Sequence, residues 1–259
     1  MTSATASIAR VIDCLLDGKD NFKVDRERAR EAIEADPAIR QITIENRRFS
    51  RRVVQHLASD CGIEQFVEVG VGLPAAENVH QVAQYVTPKA RVAYVDNDPI
   101  VVAHGQALLT DNDQIKVINA DLRNPEGILS HPELIKLIDL SKPVAMLLTP
   151  VLHFISDDDR PDEIMDTIRA ALAPGSYLAI SHACPEIHPD EVDGVMKVYR
   201  SAIPSATARD RERIMRFFGD FDIASPGMVW IPSWNPEISM TPAAAERIWH
   251  IGGIARKPG

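Results

Sequence analysis

The reading turns on Phe66-Val67-Glu68-Val69-Gly70-Val71-Gly72-Leu73-Pro74 and on Arg91-Val92-Ala93-Tyr94-Val95-Asp96-Asn97-Asp98-Pro99. Each is an apolar, β-type run that ends in a carboxylate, and the first continues into two closely spaced glycines. Between them Val79, Val82, Ala83 and Val86 fall at i, i+3, i+4 and i+7, one stripe of a helix. Pro74 is read as the first residue of that helix, where a fixed φ is favourable and a missing N–H costs nothing. The unit is therefore strand, glycine turn, helix, strand. Glycines let a ligand approach the main chain, and a carboxylate after the second strand can accept from ribose hydroxyls.

Gly70-x-Gly72-x-x-Ala75 matches the dinucleotide fingerprint in its Gly/Ala form, a pattern that a tight βα turn without any ligand also satisfies. Glu68 argues for a particular ligand. A carboxylate two residues before the first glycine would repel a pyrophosphate seated at the helix N-terminus. It suits a nucleoside that is cationic and free of phosphate, and S-adenosylmethionine fits that description.

Outward from this unit, strands and helices alternate, as in a parallel sheet covered by helices. The strand ends recur at similar intervals: Glu68 to Asp96 is 28 residues, Asp96 to Asp121 is 25, and Asp121 to Thr149 is 28. The third strand is Ile115 to Ala120, the fourth Val144 to Leu148, and the fifth Tyr177 to Ile180, followed by Ser181 and His182. Asp98-Pro99 reads as a helix cap, leaving Asp96 as the free carboxylate, and the acidic run Asp157 to Asp159 reads as capping of the helix after it. Ligands in such sheets sit at the carboxyl ends of the strands. Glu68, Asp96, Asp121, Thr149, His153 and His182 all approach that edge. A strand near Met228 to Ile231 and a closing edge strand from Trp249 to Ala255 complete about seven strands, the last antiparallel.

The first 60 residues read as helical: Ile8, Val11, Ile12 and Leu15 form one short stripe, and a charged helix runs from about Asp25 to Ala35. Pro37 opens a longer helix whose apolar face is Ile39, Ile42, Asn46, Phe49, Val53 and Leu57. Asn46 in that line needs partners, either backbone groups or a ligand. Arg47, Arg48, Arg51 and Arg52 read as a solvated face, with one of them able to reach a substrate carboxylate.

Composition narrows the class. In 259 residues, 45% hydrophobic and 25% charged residues suit a globular core, and a net charge of −9 disfavours non-specific binding to a phosphate backbone. Neither a membrane-spanning run nor a secretory leader is read at the N-terminus. Cys14, Cys61 and Cys184 are odd in number and widely spread, which predicts neither disulfides nor a metal site and points to a reducing cytoplasm.

Glu68-x-Gly70-x-Gly72, Asp96 and Asp121-Leu122 resemble class I S-adenosylmethionine-dependent methyltransferases. More closely, the chain resembles, almost end to end, the S-adenosyl methyltransferase family first catalogued as a domain of unknown function. Gly18-Lys19-Asp20-Asn21-Phe22, Asn78-Val79-His80, Tyr94-Val95-Asp96-Asn97-Asp98-Pro99, Ala120-Asp121-Leu122-Arg123, Val151-Leu152-His153-Phe154 and Ser181-His182-Ala183 carry the likeness. Pro74 departs from the general pattern, which often has a third glycine there. The resemblance implies a Rossmann-like sheet with helices on both faces, a helical cap at residues 1–60 and a cofactor-binding unit at residues 61–259, the two forming one compact body. It implies that Glu68, Gly70 and Gly72 hold the amino-acid end of S-adenosylmethionine, Asp96 the ribose, and Asn97, Asp121 and Leu122 the adenine. Thr149 and the segment to His153 would line the methyl-donor end, and Asn21 and Phe22 would close over the cofactor.

Methyl transfer from a sulfonium is an in-line displacement that gains most from alignment. An acceptor that must lose a proton also needs a base, and His153 and His182 are the candidates, each with the alternative of a bond to nearby backbone. His56, His80, His104, His131, His188 and His250 show no ligand-like pairing. Trp230 and Trp234 serve packing or stack on an aromatic acceptor. The expectation is a methyltransferase for a small-molecule acceptor, releasing S-adenosylhomocysteine and needing neither metal, nucleic acid nor membrane. A non-catalytic binder of the cofactor and a nicotinamide-dependent oxidoreductase are the alternatives.

Overall fold

The computed structural model describes residues 5–74, 77–109, 112–237 and 239–259. Three helices come first, α1 (Ile8–Leu15), α2 (Lys23–Ala35) and α3 (Ile39–Ser59). Strand β1 (Gln65–Val69), α4 (Val79–Val86), β2 (Arg91–Asp96), α5 (Pro99–Leu108) and β3 (Ile115–Asn119) follow. Short helices α6 (Pro125–Leu129) and α7 (Pro132–Leu137) lead to β4 (Ala145–Leu148), a 3₁₀ turn at Leu152–Phe154, α8 (Pro161–Ala171) and β5 (Tyr177–Ala183). The chain ends with α9 (Pro189–Arg200), α10 (Arg211–Met215), β6 (Asp222–Ile223), β7 (Val229–Trp230), α11 (Pro242–Glu246) and β8 (His250–Arg256).

Eight strands form one sheet in the order β3-β2-β1-β4-β5-β8-β6, with β7 also on β8. The first five run parallel, and β8 is antiparallel to β5. Strand order reverses between β1 and β4, which places a crevice at their carboxyl ends. Period-two alternation assigns the two faces: Phe66, Val92, Tyr94 and Leu147 pack with α1 to α4, whereas Val67, Ala93, Val95 and Met146 pack with α7 and α8. The predicted stripe of α3 is buried throughout, Asn46 included. Helix α3 therefore shares one apolar cluster with the sheet.

Several expectations are corrected. Helix α4 starts at Val79, not Pro74, because Asn78 caps it and the Gln81 side chain accepts from the Asn78 N–H at 2.8 Å. Ala75, the last residue of the fingerprint, lies outside the described residues. β8 is not an edge strand, since β6 and β7 cover its second side. The run Asp157 to Asp159 does not cap α8: Arg160 holds the cap position in a left-handed conformation, Asp159 accepts from Ser156, and Asp157 pairs with Arg209. Nor is Arg52 solvated; it is buried and donates to the carbonyls of Ile231 and Trp234.

The N-terminal segment is pinned by Asp25, which is fully buried and accepts from the Ser7 N–H, the Phe22 N–H and Arg10 Nε. Ser7 Oγ in turn donates to Asp98 Oδ2 at 2.8 Å, tying the N-terminal segment to the end of β2. Among the described residues no helix is long and apolar enough to cross a membrane.

Candidate active site

A cavity of about 730 Å³ opens along the carboxyl edge of the sheet, roofed by α1 and α3. Glu68, Gly70, Gly72, Asp96, Asn97, Asp121, Leu122, Thr149 and His153 all border it. The turn after β1 has its shape because Gly70 and Gly72 sit at φ of 76° and 65°, where a side chain is strained. At Gly70 an added Cβ would lie 2.6 Å from Val151, whereas at Gly72 it would meet open space. The chain thus leaves clearance at Gly72 for a ligand.

Asp96 is held, not loose. Its Oδ2 accepts from the Gly72 N–H at 3.0 Å and its Oδ1 from the Asp98 N–H at 2.9 Å. Burial nevertheless raises its pKa, and these amides act against that rise. Asp98 caps α5 through Ile100, as its sequence predicts. Asp121 is bonded by Arg123 and by Asn97 Nδ2 at 2.9 Å, and the Arg123 bonds above all pull its pKa down to about 2. Each oxygen of Asp96 keeps a further lone pair for a ligand, whereas each oxygen of Asp121 already accepts two bonds.

Glu68 differs from both. No hydrogen bond or close ion pair engages its carboxylate among the described residues, and desolvation raises its pKa to about 7, with Asp96 adding to the rise and Arg47 opposing it. Burial in turn lowers the pKa of Arg47, whose largest compensation is the charge of Glu68. Among the described residues Arg47 Nη2 reaches the Leu73 carbonyl, at 3.3 Å, and no carboxylate. Two opposite charges thus face one cavity without touching, so the arginine read as a solvated face belongs to the site.

The far end is built by Thr149, His153 and residues that spacing did not reveal. Thr149 Oγ1 bonds Ser50 Oγ at 3.2 Å. The His153 ring lies 5.4 Å from that of His250, which also borders the cavity, and the Nδ1 of each is enclosed without a hydrogen-bond partner among the described residues. Burial pushes the pKa of His153 well down and that of His250 to about 3.

Three predicted residues are not brought to the cavity. His182 lies within β5, not beyond it, and Arg209 Nη1, a donor only, stands 3.1 Å from its Nε2. The Nε2 must accept, so Nδ1 carries the proton and donates to the Ala183 carbonyl at 2.8 Å. Desolvation holds this imidazole neutral, with a pKa of about 3. Asn21 is spent on Asp13 and the Gly18 carbonyl, and Phe22 is exposed in the connection before α2 with Arg10 over its ring. Of the two tryptophans, Trp234 is core against Phe49 and Trp230 stacks with Arg211. Among the described residues no cluster of three or more His, Cys, Asp or Glu is arranged to hold a metal ion.

The parallel sheet, its antiparallel last strands and the acidic strand ends around a glycine turn define a Rossmann-like class I methyltransferase fold. A protein from Thermobifida fusca, provisionally assigned as a methyltransferase, is 41% identical over 98% of this chain and 96% of its own, with a TM-score of 0.94. A DUF574 family protein from Streptomyces avermitilis is 35% identical over 98% of both chains, with a TM-score of 0.93. At the level of fold alone, an N-methyltransferase from Bradyrhizobium japonicum, solved with S-adenosylhomocysteine, matches with a TM-score of 0.50 at 13% identity, over 83% of this chain and 88% of its own. No curated protein matches the chain. The model of the S-adenosyl methyltransferase family spans residues 1–258, and the chain belongs to that family.

Proposed function

We propose that the protein transfers the methyl group of S-adenosylmethionine to a small-molecule acceptor held at the β4–β8 end of the cavity. The observation that carries the reading is the pair Glu68 and Arg47: opposite charges that border one cavity, neither of them in an ion pair among the described residues. An α-amino-acid head between them would place its ammonium on Glu68 and its carboxylate on Arg47. Ionised groups in a desolvated site gain most from such pairing. Asp96 would take the ribose hydroxyls with its remaining lone pairs, and Asn97, Asp121 and the Leu122 wall would take the adenine. The clearance at Gly72 fits the ligand against the main chain.

The bound sulfonium supplies an electrophilic methyl group. The chain's part is to align an acceptor with it, exclude water beneath α1 and α3, and accept a proton where the nucleophile carries one. His153 has the position for this. Neutral and bordering the cavity, it can accept a hydrogen bond from an acceptor hydroxyl, although burial opposes its keeping a full proton. His182 we assign to support, because both its ring nitrogens are occupied. The three cysteines are unpaired, which suits a reducing cytoplasm.

Calorimetric titration with S-adenosylmethionine, S-adenosylhomocysteine and NADH tests the reading. Micromolar binding of the first two, weakened about ten- to 100-fold in Asp96→Ala, is expected. Binding of NADH alone would overturn it.

A further inference from the structure

The cavity is segregated by charge along the sheet edge. Its β1–β3 end carries Glu68, Asp96 and Asp121. From Thr149 onward, none of the described residues that border it is Asp, Glu, Lys or Arg. The bordering arginines lie on α3 or after β3: Arg48 pairs with Glu45, Arg51 with Glu237, Arg123 with Asp121, and Arg47 faces Glu68.

Uncharged polar groups occupy the other end, and their valences are open. Asn46, His153, Tyr199 and His250 are 4%, 2%, 5% and 6% exposed. Asn46 spends Oδ1 on Ser181 Oγ at 2.6 Å, and its amide nitrogen has no partner among the described residues. Neither does the Tyr199 hydroxyl, whose pKa is raised by burial alone. His153 and His250 each add an enclosed, unpaired Nδ1. Of these four atoms the two Nδ1 are the fully enclosed ones, and native proteins rarely leave enclosed polar groups unsatisfied.

Three of these groups, His153, Tyr199 and His250, share a wall of rings with Phe154. Phe154 stands 4.2 Å from His153 and 5.9 Å from Tyr199, and His153 stands 5.4 Å from His250. Aromatic walls favour a flat guest. Burial holds both histidines neutral and each bordering arginine already faces a carboxylate, so among the described residues a carboxylate or phosphate placed here would meet no free cation, and an ammonium no anion from Thr149 onward. Either would lose hydration without compensation. The cation behind the wall, Arg209, is already spent on Asp157 and on the carbonyls of Leu152 and Ile155.

We propose that the acceptor is an uncharged, hydroxylated aromatic molecule, bound flat among His153, Phe154, Tyr199 and His250, and that acceptors charged at this end are excluded. This rests on the methyl-transfer reading. In the step it implies, the acceptor hydroxyl gives its proton to His153 and thence to solvent, and its oxygen forms the new bond to the methyl carbon. The carbon–sulfur electron pair stays with sulfur, which leaves as a neutral thioether.

The test uses the full chain saturated with S-adenosylhomocysteine and titrated with a naphthol, the corresponding hydroxynaphthoate and the aminomethyl-naphthol. The naphthol is expected to bind, and both charged probes to bind about ten-fold more weakly or worse. Tyr199→Phe should weaken the naphthol about two- to twelve-fold, the loss of one hydrogen bond, with the affinity for S-adenosylhomocysteine unchanged. Equal or tighter binding of a charged probe, or no binding of the naphthol, overturns the proposal without recourse to any variant. Failure of S-adenosylhomocysteine itself to bind would instead remove the methyl-transfer reading, and this inference with it.

Discussion

Replacing Glu68 with Gln should stabilise the free protein and at the same time weaken its ligand site. The Glu68 carboxyl has its pKa raised from 4.5 to about 7, chiefly by desolvation. The unfolded chain releases this proton near the ordinary value, so between the two values the folded state binds more protons. The stability linked to Glu68 is therefore fully present below the unfolded pKa and is lost as pH rises through about 7. A shift of about 2.5 units is worth ~3 kcal/mol, and the partial solvent contact of Glu68 reduces the expected gain of Glu68→Gln to about 1–3 kcal/mol at about pH 8. At about pH 5 the gain should shrink toward zero, because the wild-type carboxyl is by then mostly protonated in the folded protein. Denaturant unfolding at both pH values measures it. The same proton reports on the ligand. An ammonium drawn to ionised Glu68 should expel about 0.7 proton when S-adenosylhomocysteine binds at about pH 6.5, and Glu68→Gln should abolish the release. Titrations in buffers of different ionisation enthalpy read that number. Equal stability gains at both pH values, together with binding that releases no proton, would refute the argument.

Asp96→Ala should lower S-adenosylhomocysteine affinity about ten- to 100-fold in calorimetry, the range for a charge-assisted hydrogen bond, and Asp96→Asn should lose less because one oxygen acceptor remains. Gly72→Ala should cost only about 1–2 kcal/mol of stability, since its φ of 65° is strained but its surroundings are open, while cofactor binding falls more because the methyl enters the cavity. Gly70→Ala should be the more damaging to folding, because its Cβ would meet Val151. Asp25→Ala breaks the buried ion pair with Arg10 and removes the acceptor of two amides, so about 3–5 kcal/mol should be lost in denaturant unfolding, with ligand affinity falling as the segment carrying Ser7 loosens.

What the sequence could disclose depended on whether the determining interaction was local. Strand β1, its glycine turn and the cap at Asp98 are written within a few residues of one another, and all three stand where the pattern puts them. The start of α4 was equally local but read from the wrong signal: Pro74 is only compatible with a helix start, whereas Asn78 with Gln81 supplies the reciprocal bonds that a start needs. Asp157 and Arg47 show the opposite case. Their partners, Arg209 and Glu68, come from elements remote in sequence, and no periodicity announces them. His250 lies between these cases. A parallel strand brings its last residues to the ligand edge, but an antiparallel strand brings its first. The antiparallel direction foreseen for the closing strand already implies that Trp249-His250, not Ala255, faces the site. Pairing of Ala183 with His250 sets the ring there, 5.4 Å from His153. The same reasoning removes His182: three more residues of β5 draw it from the rim into the sheet, where Arg209 takes the lone pair that a base would need. One histidine thus leaves the site and another enters it, and the direction of a strand decides both.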